Sequence, residues 1–218
     1  MQTLLIHHGT SPLGQALAIY FSQLGFQVIV LDCHDEQGYA MVAKTPQIRY
    51  WSYHPNHAQA FSQVAQDLTF QFGKLDGLLL LPPQEKHARP LNQAEDTDLL
   101  QQLNRYVLKP FQLIQSLRPL LQQTQGNTVL LLPQASYAHE QALIQPCLGA
   151  LASFSHCFQC DTTPLAVNSI SLSAEDFVTP SPSAIANLQA MLQTMLSNQH
   201  QLQGQHFTLR REPALMNG

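Results

Sequence analysis

The stretch TLLIHHGTSPLGQALAIYFSQLGFQVIVLD, residues 3–32, decides the fold. It opens on a short apolar run; LGQALAIYFSQLG, residues 13–25, then carries apolar side chains at helical spacing and closes on Gly25, a residue suited to a helix end. FQVIVLD, residues 26–32, is apolar and β-branched and fits a strand. The spacing predicts strand, turn, helix and strand. Ser11 before Pro12 makes a sound helix start, because serine accepts a backbone N–H there and proline fits the first helical position.

The alternation continues along the chain. IRYWSY (48–53) predicts a third strand, HAQAFSQVAQDLTFQFG (57–73) a helix ending at Gly73, and LDGLLLLPP (75–83) a strand buried on both faces. DTDLLQQLNRYVLKPFQLIQSLRPLLQQ (96–123) reads as one long helix, NTVLLLP (127–133) as a strand and QALIQPCLGALASFSHCFQCD (141–161) as a helix. LAVNSISL (165–172), SAIANLQAMLQTMLSN (183–198) and HFTLR (206–210) complete the series as strand, helix and strand, while Asp35 and Glu36 fall in a polar loop. Such a series predicts an α/β, doubly wound, Rossmann-like parallel sheet with helices on both faces, as a single domain over residues 1–218. Ligands of such sheets lie beyond the carboxyl ends of the strands, at the point where strand order reverses.

Composition narrows the function classes. Charged residues are 11% of the chain against about 25% in average proteins, and 29 scattered glutamines make up the deficit. A net charge of −4 and a pI near 6.2 give no basic footprint, so nucleic acid is not an expected partner. The first charge is Asp32, yet His7, His8, Gln15 and Gln23 interrupt the uncharged opening, which suits neither a signal peptide nor a membrane span. A cytoplasmic protein with no membrane partner is expected. Four cysteines (Cys33, Cys147, Cys157, Cys160) are too few for a disulfide framework. Cys157-Phe-Gln-Cys160 lacks a second ligand pair at metal spacing, so these thiols are expected to be buried packing groups and no metal site is predicted.

From Thr3 to about Leu209 the chain resembles the short-chain dehydrogenase/reductase family. Landmarks fall in the family's order: the glycine-containing turn, Asp32 ending the second strand, and FGKLDGLLLLPP where the family has F-G-x-L-D-x-L-V-N-N-A-G. Asn104 in LNRYVLKPFQLIQSLRPLL, GNTVLLLPQAS, LAVNSISL and LQGQHFTL follow. The resemblance implies the Rossmann fold and hydride transfer between NAD(P) and a carbonyl or alcohol, wherever the working residues persist.

Most of them are replaced. Setting Gly14 on the last glycine of the family's T-G-x-x-x-G-x-G puts His7 at the threonine, His8 at the first glycine and Pro12 at the middle one. Sliding by one matches Gly9 to the first glycine and leaves the turn one residue short. In either register the anion-binding loop is degraded, since proline has no N–H to offer. Adjacent side chains point to opposite faces of a strand, so His7 and His8 are not expected to act together. Asp32, 18 residues after Gly14, stands where an acidic side chain would accept from the adenosine ribose and disfavour a 2′-phosphate. Gly9, Gly14 and Asp32 are thus the candidate cofactor residues, and NAD(H) the cofactor if there is one. The family's N-N-A-G is Leu80-Leu81-Pro82-Pro83 here.

The resemblance implies a catalytic tyrosine activated by a lysine one helical turn on. One alignment places Ile144 and Leu148 at those positions, another Ala142 and Pro146. Neither pair can titrate. No alignment restores the motif, because the last lysine is Lys109 and the last tyrosine Tyr137. The orienting serine becomes Pro133 or Gln134. If the chain is active, Asn104 at the family's asparagine position, with Ser136 and Tyr137 after the fifth strand and His139 nearby, are the candidate catalytic residues.

Three readings follow. The first is a family-like protein that has lost catalysis and serves a structural, binding or assembly role. Its expected partner is a second copy of itself, as dimer or tetramer, through the helices around 97–123 and 141–160, the second of which is uncharged and apolar on more than one face. The second is a divergent NAD(P)-dependent oxidoreductase. The third is a sensor that binds a dinucleotide or small molecule without turnover. Trp51, the only tryptophan, should lie just after the third strand, near the family's adenine site, and report cofactor binding.

Overall fold

A computed structural model describes residues 1–218 except 55–56, 58, 84–90, 135–142, 159, 161–164, 198–201 and 210–218. Its strands are β1 (Thr3–His7), β2 (Gln27–Asp32), β3 (Ile48–Ser52), β4 (Gly77–Leu80), β5 (Asn127–Pro133), β6 (Ala166–Leu172) and β7 (His206–Thr208). They form one sheet in the order β3-β2-β1-β4-β5-β6-β7, and every pairing is parallel. The order reverses between β1 and β4, so the crevice above His7 and Leu80 is the switch point.

The helices are α1 (Pro12–Gln23), α2 (Asp35–Lys44), α3 (Ala60–Phe72), α4 (Asp96–Leu103), α5 (Lys109–Thr124), α6 (Ile144–Cys157), α7 (Ala174–Val178) and α8 (Pro182–Ser197). Two apolar layers sandwich the sheet. One gathers Leu5, Leu78 and Leu130 with Leu68 of α3, Leu117 of α5 and Cys147 of α6. The other gathers Leu4, Val28 and Val129 with Leu17 of α1, Leu188 of α8 and Phe177 of α7. Strands covered on both sides need no polar face, which is why β1 and β4 are buried throughout.

Local signals set the element ends. Ser11 caps α1 by accepting from the Gly14 amide at 3.0 Å, with Pro12 following it. Gly25 and Gly73 take φ of +85° and +68° just past α1 and α3, a backbone region that favours glycine.

The structure corrects four expectations. Asp35 and Glu36 open helix α2 instead of lying in a loop: both acids sit in its first turn, where they complement the helix dipole. That helix buries only Gly38 and Met41, too narrow a stripe to stand out as a period. The long helix is two helices, α4 and α5, joined by a π-helical turn over Asn104–Leu108. Trp51 lies within β3, its ring 6.1 Å from that of Phe72, instead of after the strand. Cys157 and Cys160 are exposed, because α6 ends at Cys157 and its buried face runs through Ile144, Cys147, Leu148 and Leu151. Among the described residues, no helix is long and apolar enough to cross a membrane.

Candidate functional site

The crevice begins where β1 stops. His7 is the last residue of β1 and is 1% exposed; its Nε2 lies 2.9 Å from the Tyr53 hydroxyl. His8 then turns out of the strand with φ +55°, a conformation that a glycine would adopt freely. That backbone overturns the expectation that the two histidines face apart: their ring centroids are 3.9 Å from one another, because His8 no longer follows the strand's alternation.

Gly9 and Gly14 pack backbone against backbone. A Cβ on Gly14 would come within 2.6–2.8 Å of the Gly9 backbone, and a Cβ on Gly9 within 3.0 Å of Ile6 and Val30. These glycines let α1 approach the turn after β1. Of the first amides of α1, Pro12 has none, the Gly14 amide goes to Ser11 Oγ and the Gln15 amide to the Ser11 carbonyl. The Pro12 ring is exposed at the head of the helix.

Asp32 ends β2 and is 1% exposed. Its Oδ2 accepts from the Thr10 amide at 3.1 Å and the Thr10 hydroxyl at 2.6 Å. Its Oδ1 accepts from the Cys33 amide at 2.7 Å and lies 2.8 Å from His34 Nδ1. Burial pushes its pKa up, but the nearby His8, 3.6 Å from Oδ1, and the bonds from Thr10 and His34 outweigh burial and hold the carboxyl well below the usual carboxylate range. The carboxylate therefore ties the β1–α1 turn to the end of β2.

These residues fit a dinucleotide poorly. The helix start directs one fewer amide outward for want of an N–H on Pro12, and a pyrophosphate needs such amides. The carboxylate that would hold the adenosine ribose already carries its donors inside the fold.

Neither Tyr53 nor Tyr106 is an activated acid. Tyr53 is pushed far above its ordinary range by burial and by the charges of Cys33 and Asp32. Tyr106, in the π turn with its hydroxyl 3.4 Å from the Pro83 carbonyl, is pushed up to about 12, chiefly by burial. Both shifts run opposite to what proton donation near neutral pH requires. Ile144 and Leu148, one turn apart at the start of α6, are 8% and 5% exposed and lie in the core. In the alternative register Pro146 is exposed on that helix and Ala142 lies outside the described residues. Ser136, Tyr137 and His139 also lie outside them. Asn104 begins the π turn and is exposed. Gln134 instead donates to the Leu209 carbonyl at 2.7 Å, a bond to the last strand's end.

Two features were not legible in sequence. Asp32, Cys33 and His34 bring a carboxylate oxygen, a thiol and an imidazole nitrogen within 4.8 Å of one another. Beside them a groove of about 480 Å³ between β3 and α3 is lined by Trp51, Tyr53, His54, His57 and Gln63 among others. The consecutive Asp-Cys-His run was the available signal for the first; pair-spacing rules for metal sites pass over it.

His7 supplies a pH-dependent term. Burial, then the neighbouring His8, lowers its pKa well below the ordinary value, so the folded state binds fewer protons than the unfolded chain. Stability contributed by neutral His7 is complete above about pH 6.5 and falls as pH drops below it, by up to about 1.4 kcal/mol per pH unit. Urea midpoints measured from neutral pH down to about 5.5 should fall less steeply in His7→Gln than in the unsubstituted protein; parallel slopes would contradict the assignment.

No family model matches the chain, and no curated protein matches it in sequence. Solved structures do match in shape. A citronellol catabolism dehydrogenase of Pseudomonas aeruginosa PAO1 superposes with a TM-score of 0.79 at 13% identity, over 95% of this chain and 92% of that one. An alcohol dehydrogenase of the archaeon Thermococcus sibiricus, solved with 5-hydroxy-NADP, gives 0.78 at 11% identity over 98% and 99%. A short-chain dehydrogenase of Escherichia coli CFT073, solved with NADPH, gives 0.77 at 18% identity over 95% of both chains. The chain has the fold of the short-chain dehydrogenases, across nearly their whole length.

Proposed function

We propose that this chain is a short-chain dehydrogenase-like protein without hydride-transfer activity, whose role is binding or assembly. The observation that carries the reading is that α6 offers no tyrosine–lysine pair in either register, since the last tyrosine is Tyr137 and the last lysine Lys109, and that Ile144 and Leu148 of one register pack into the core. The poor fit of the Pro12 helix start and the saturated Asp32 supports it from the cofactor side. Exposed thiols at Cys33, Cys157 and Cys160 suit a reducing, cytoplasmic setting. NADH titrated against Trp51 fluorescence is expected to give no saturable quenching up to millimolar cofactor. Saturation at micromolar NADH together with hydride transfer to a carbonyl substrate would overturn the reading.

The π turn at Asn104 favours a second reading, a divergent NAD(H)-dependent oxidoreductase, because such turns recur at functional sites. Hydride transfer to any member of a carbonyl panel would establish it. Binding without transfer would instead mark a sensor.

Self-assembly is the partner reading. Leu99, Leu100 and Leu108 are 38%, 64% and 48% exposed along α4 and the π turn. Large apolar groups clustered in this way suit burial against a second copy. The protein is expected to sediment as a dimer or tetramer at micromolar concentration, and Leu100→Glu with Leu108→Glu to yield monomers; a monomeric unsubstituted protein would exclude the interface.

A further inference from the structure

We propose that the end of β2 is a binding site for one zinc-type divalent cation, held by Cys33 Sγ, His34 Nδ1 and a carboxylate oxygen of Asp32, with His8 turning in as the fourth donor. The donor set is mixed thiol, imidazole and carboxylate, the chemistry that selects borderline-soft metals over magnesium or calcium. Its spacing fits. His34 Nδ1 lies 2.8 Å from Asp32 Oδ1, Cys33 Sγ lies 3.9 Å from His34 Nδ1, and His8 Nδ1 lies 3.6 Å from Asp32 Oδ1. Tetrahedral zinc with bonds of about 2.0–2.3 Å sets its ligand atoms roughly 3.3–3.8 Å apart. These separations fall on either side of that range, so small rotations suit Asp32, Cys33 and His34, while His8 approaches the carboxylate and must rotate further to join the two exposed donors.

An independent observation points to a missing partner. His8 Nδ1 is buried without a hydrogen-bond partner, beside the Asp32 carboxylate. A buried imidazole nitrogen left unbonded is costly, and a cation seated against Asp32 Oδ1 would satisfy it. The left-handed backbone at His8 is what brings that ring toward Asp32. Access is open, since Cys33 is exposed and His34 is 47% exposed.

With His8 turned in, no coordination position is left open and the metal's role is structural: it clamps the turn after β1 to the start of α2. It also engages the carboxylate that a dinucleotide ribose would need. The site stands on the donor geometry alone and holds whether or not the chain transfers hydride.

The test is titration of metal-stripped, reduced protein with cobalt chloride, followed by zinc displacement. One equivalent of cobalt should produce a near-ultraviolet thiolate-to-cobalt charge-transfer band and intense visible bands of tetrahedral type, both abolished by one equivalent of zinc. Cys33→Ser should lose the charge-transfer band, and His34→Ala should weaken zinc binding at least tenfold, each with an unchanged far-ultraviolet dichroism spectrum. The Cys157→Ser/Cys160→Ser double variant should bind as the unsubstituted protein does. Absence of the band in the unsubstituted protein at about tenfold excess cobalt would overturn the proposal. Its persistence in Cys33→Ser, or its loss in the Cys157/Cys160 variant, would do so too.

Discussion

Replacing Asp32 with alanine is expected to destabilise the protein by about 3–5 kcal/mol, the range seen when one member of a buried charged network is removed. The reason is local. The substitution strands the Thr10 amide and hydroxyl and the Cys33 amide, and Thr10 is only 4% exposed, so water cannot readily replace the lost acceptor. Because the folded-state pKa of Asp32 is depressed, its stabilisation is complete above about pH 4, the unfolded value, and is lost as pH falls further. Urea denaturation of Asp32→Ala across the acid range measures both: a large deficit at neutral pH that narrows toward acid. A residue kept mainly for a ribose would behave otherwise, since its removal would weaken cofactor binding and leave unfolding nearly untouched. A deficit under about 1 kcal/mol at neutral pH would therefore return Asp32 to a cofactor role.

Gly14→Ala is expected to cost about 2–3 kcal/mol despite alanine's better helix propensity. Alanine gains up to about 1 kcal/mol over glycine in a helix interior, but here its Cβ would meet the Gly9 backbone at 2.6–2.8 Å, where carbon atoms normally stay about 3.5 Å apart. Backbone cannot rotate away as a side chain can, so α1 must lift, loosening Leu13, Leu17 and Phe21. Gly149 provides the contrast. A Cβ there meets nothing within 4 Å inside α6, so Gly149→Ala should stabilise by about 0.5–1 kcal/mol. Thermal midpoints moving in opposite directions for the two variants would confirm that close approach, not phosphate binding, keeps Gly14 a glycine. Equal and small shifts would refute it.

Of the site, the losses were legible and the replacements were not. That Tyr and Lys cannot stand on α6 follows from where the last lysine and tyrosine occur. That Pro12 spoils an anion seat follows from its missing N–H. The partnership of His8 with Asp32 was not legible, because it depends on one positive φ at a residue that a strand pattern assigns to the opposite face. The π turn at Asn104 was hidden because apolar residues at helical spacing occur on both sides of it, and residue types alone do not show where backbone hydrogen bonding changes from four residues to five.

By itself the amino-acid order determined the seven strands and most of the helices between them, the parallel sheet and the buried character of β1, β4 and β5, because burial periodicity is a property of neighbours along the chain. Tertiary structure alone decided what Asp32 touches, that Gly9 and Gly14 meet, and that His34 and His8 both approach one oxygen of Asp32 with the Cys33 thiol close by. Those contacts depend on dihedral angles and on the few tenths of an ångström between packed backbones, quantities that no local spacing of residue types encodes.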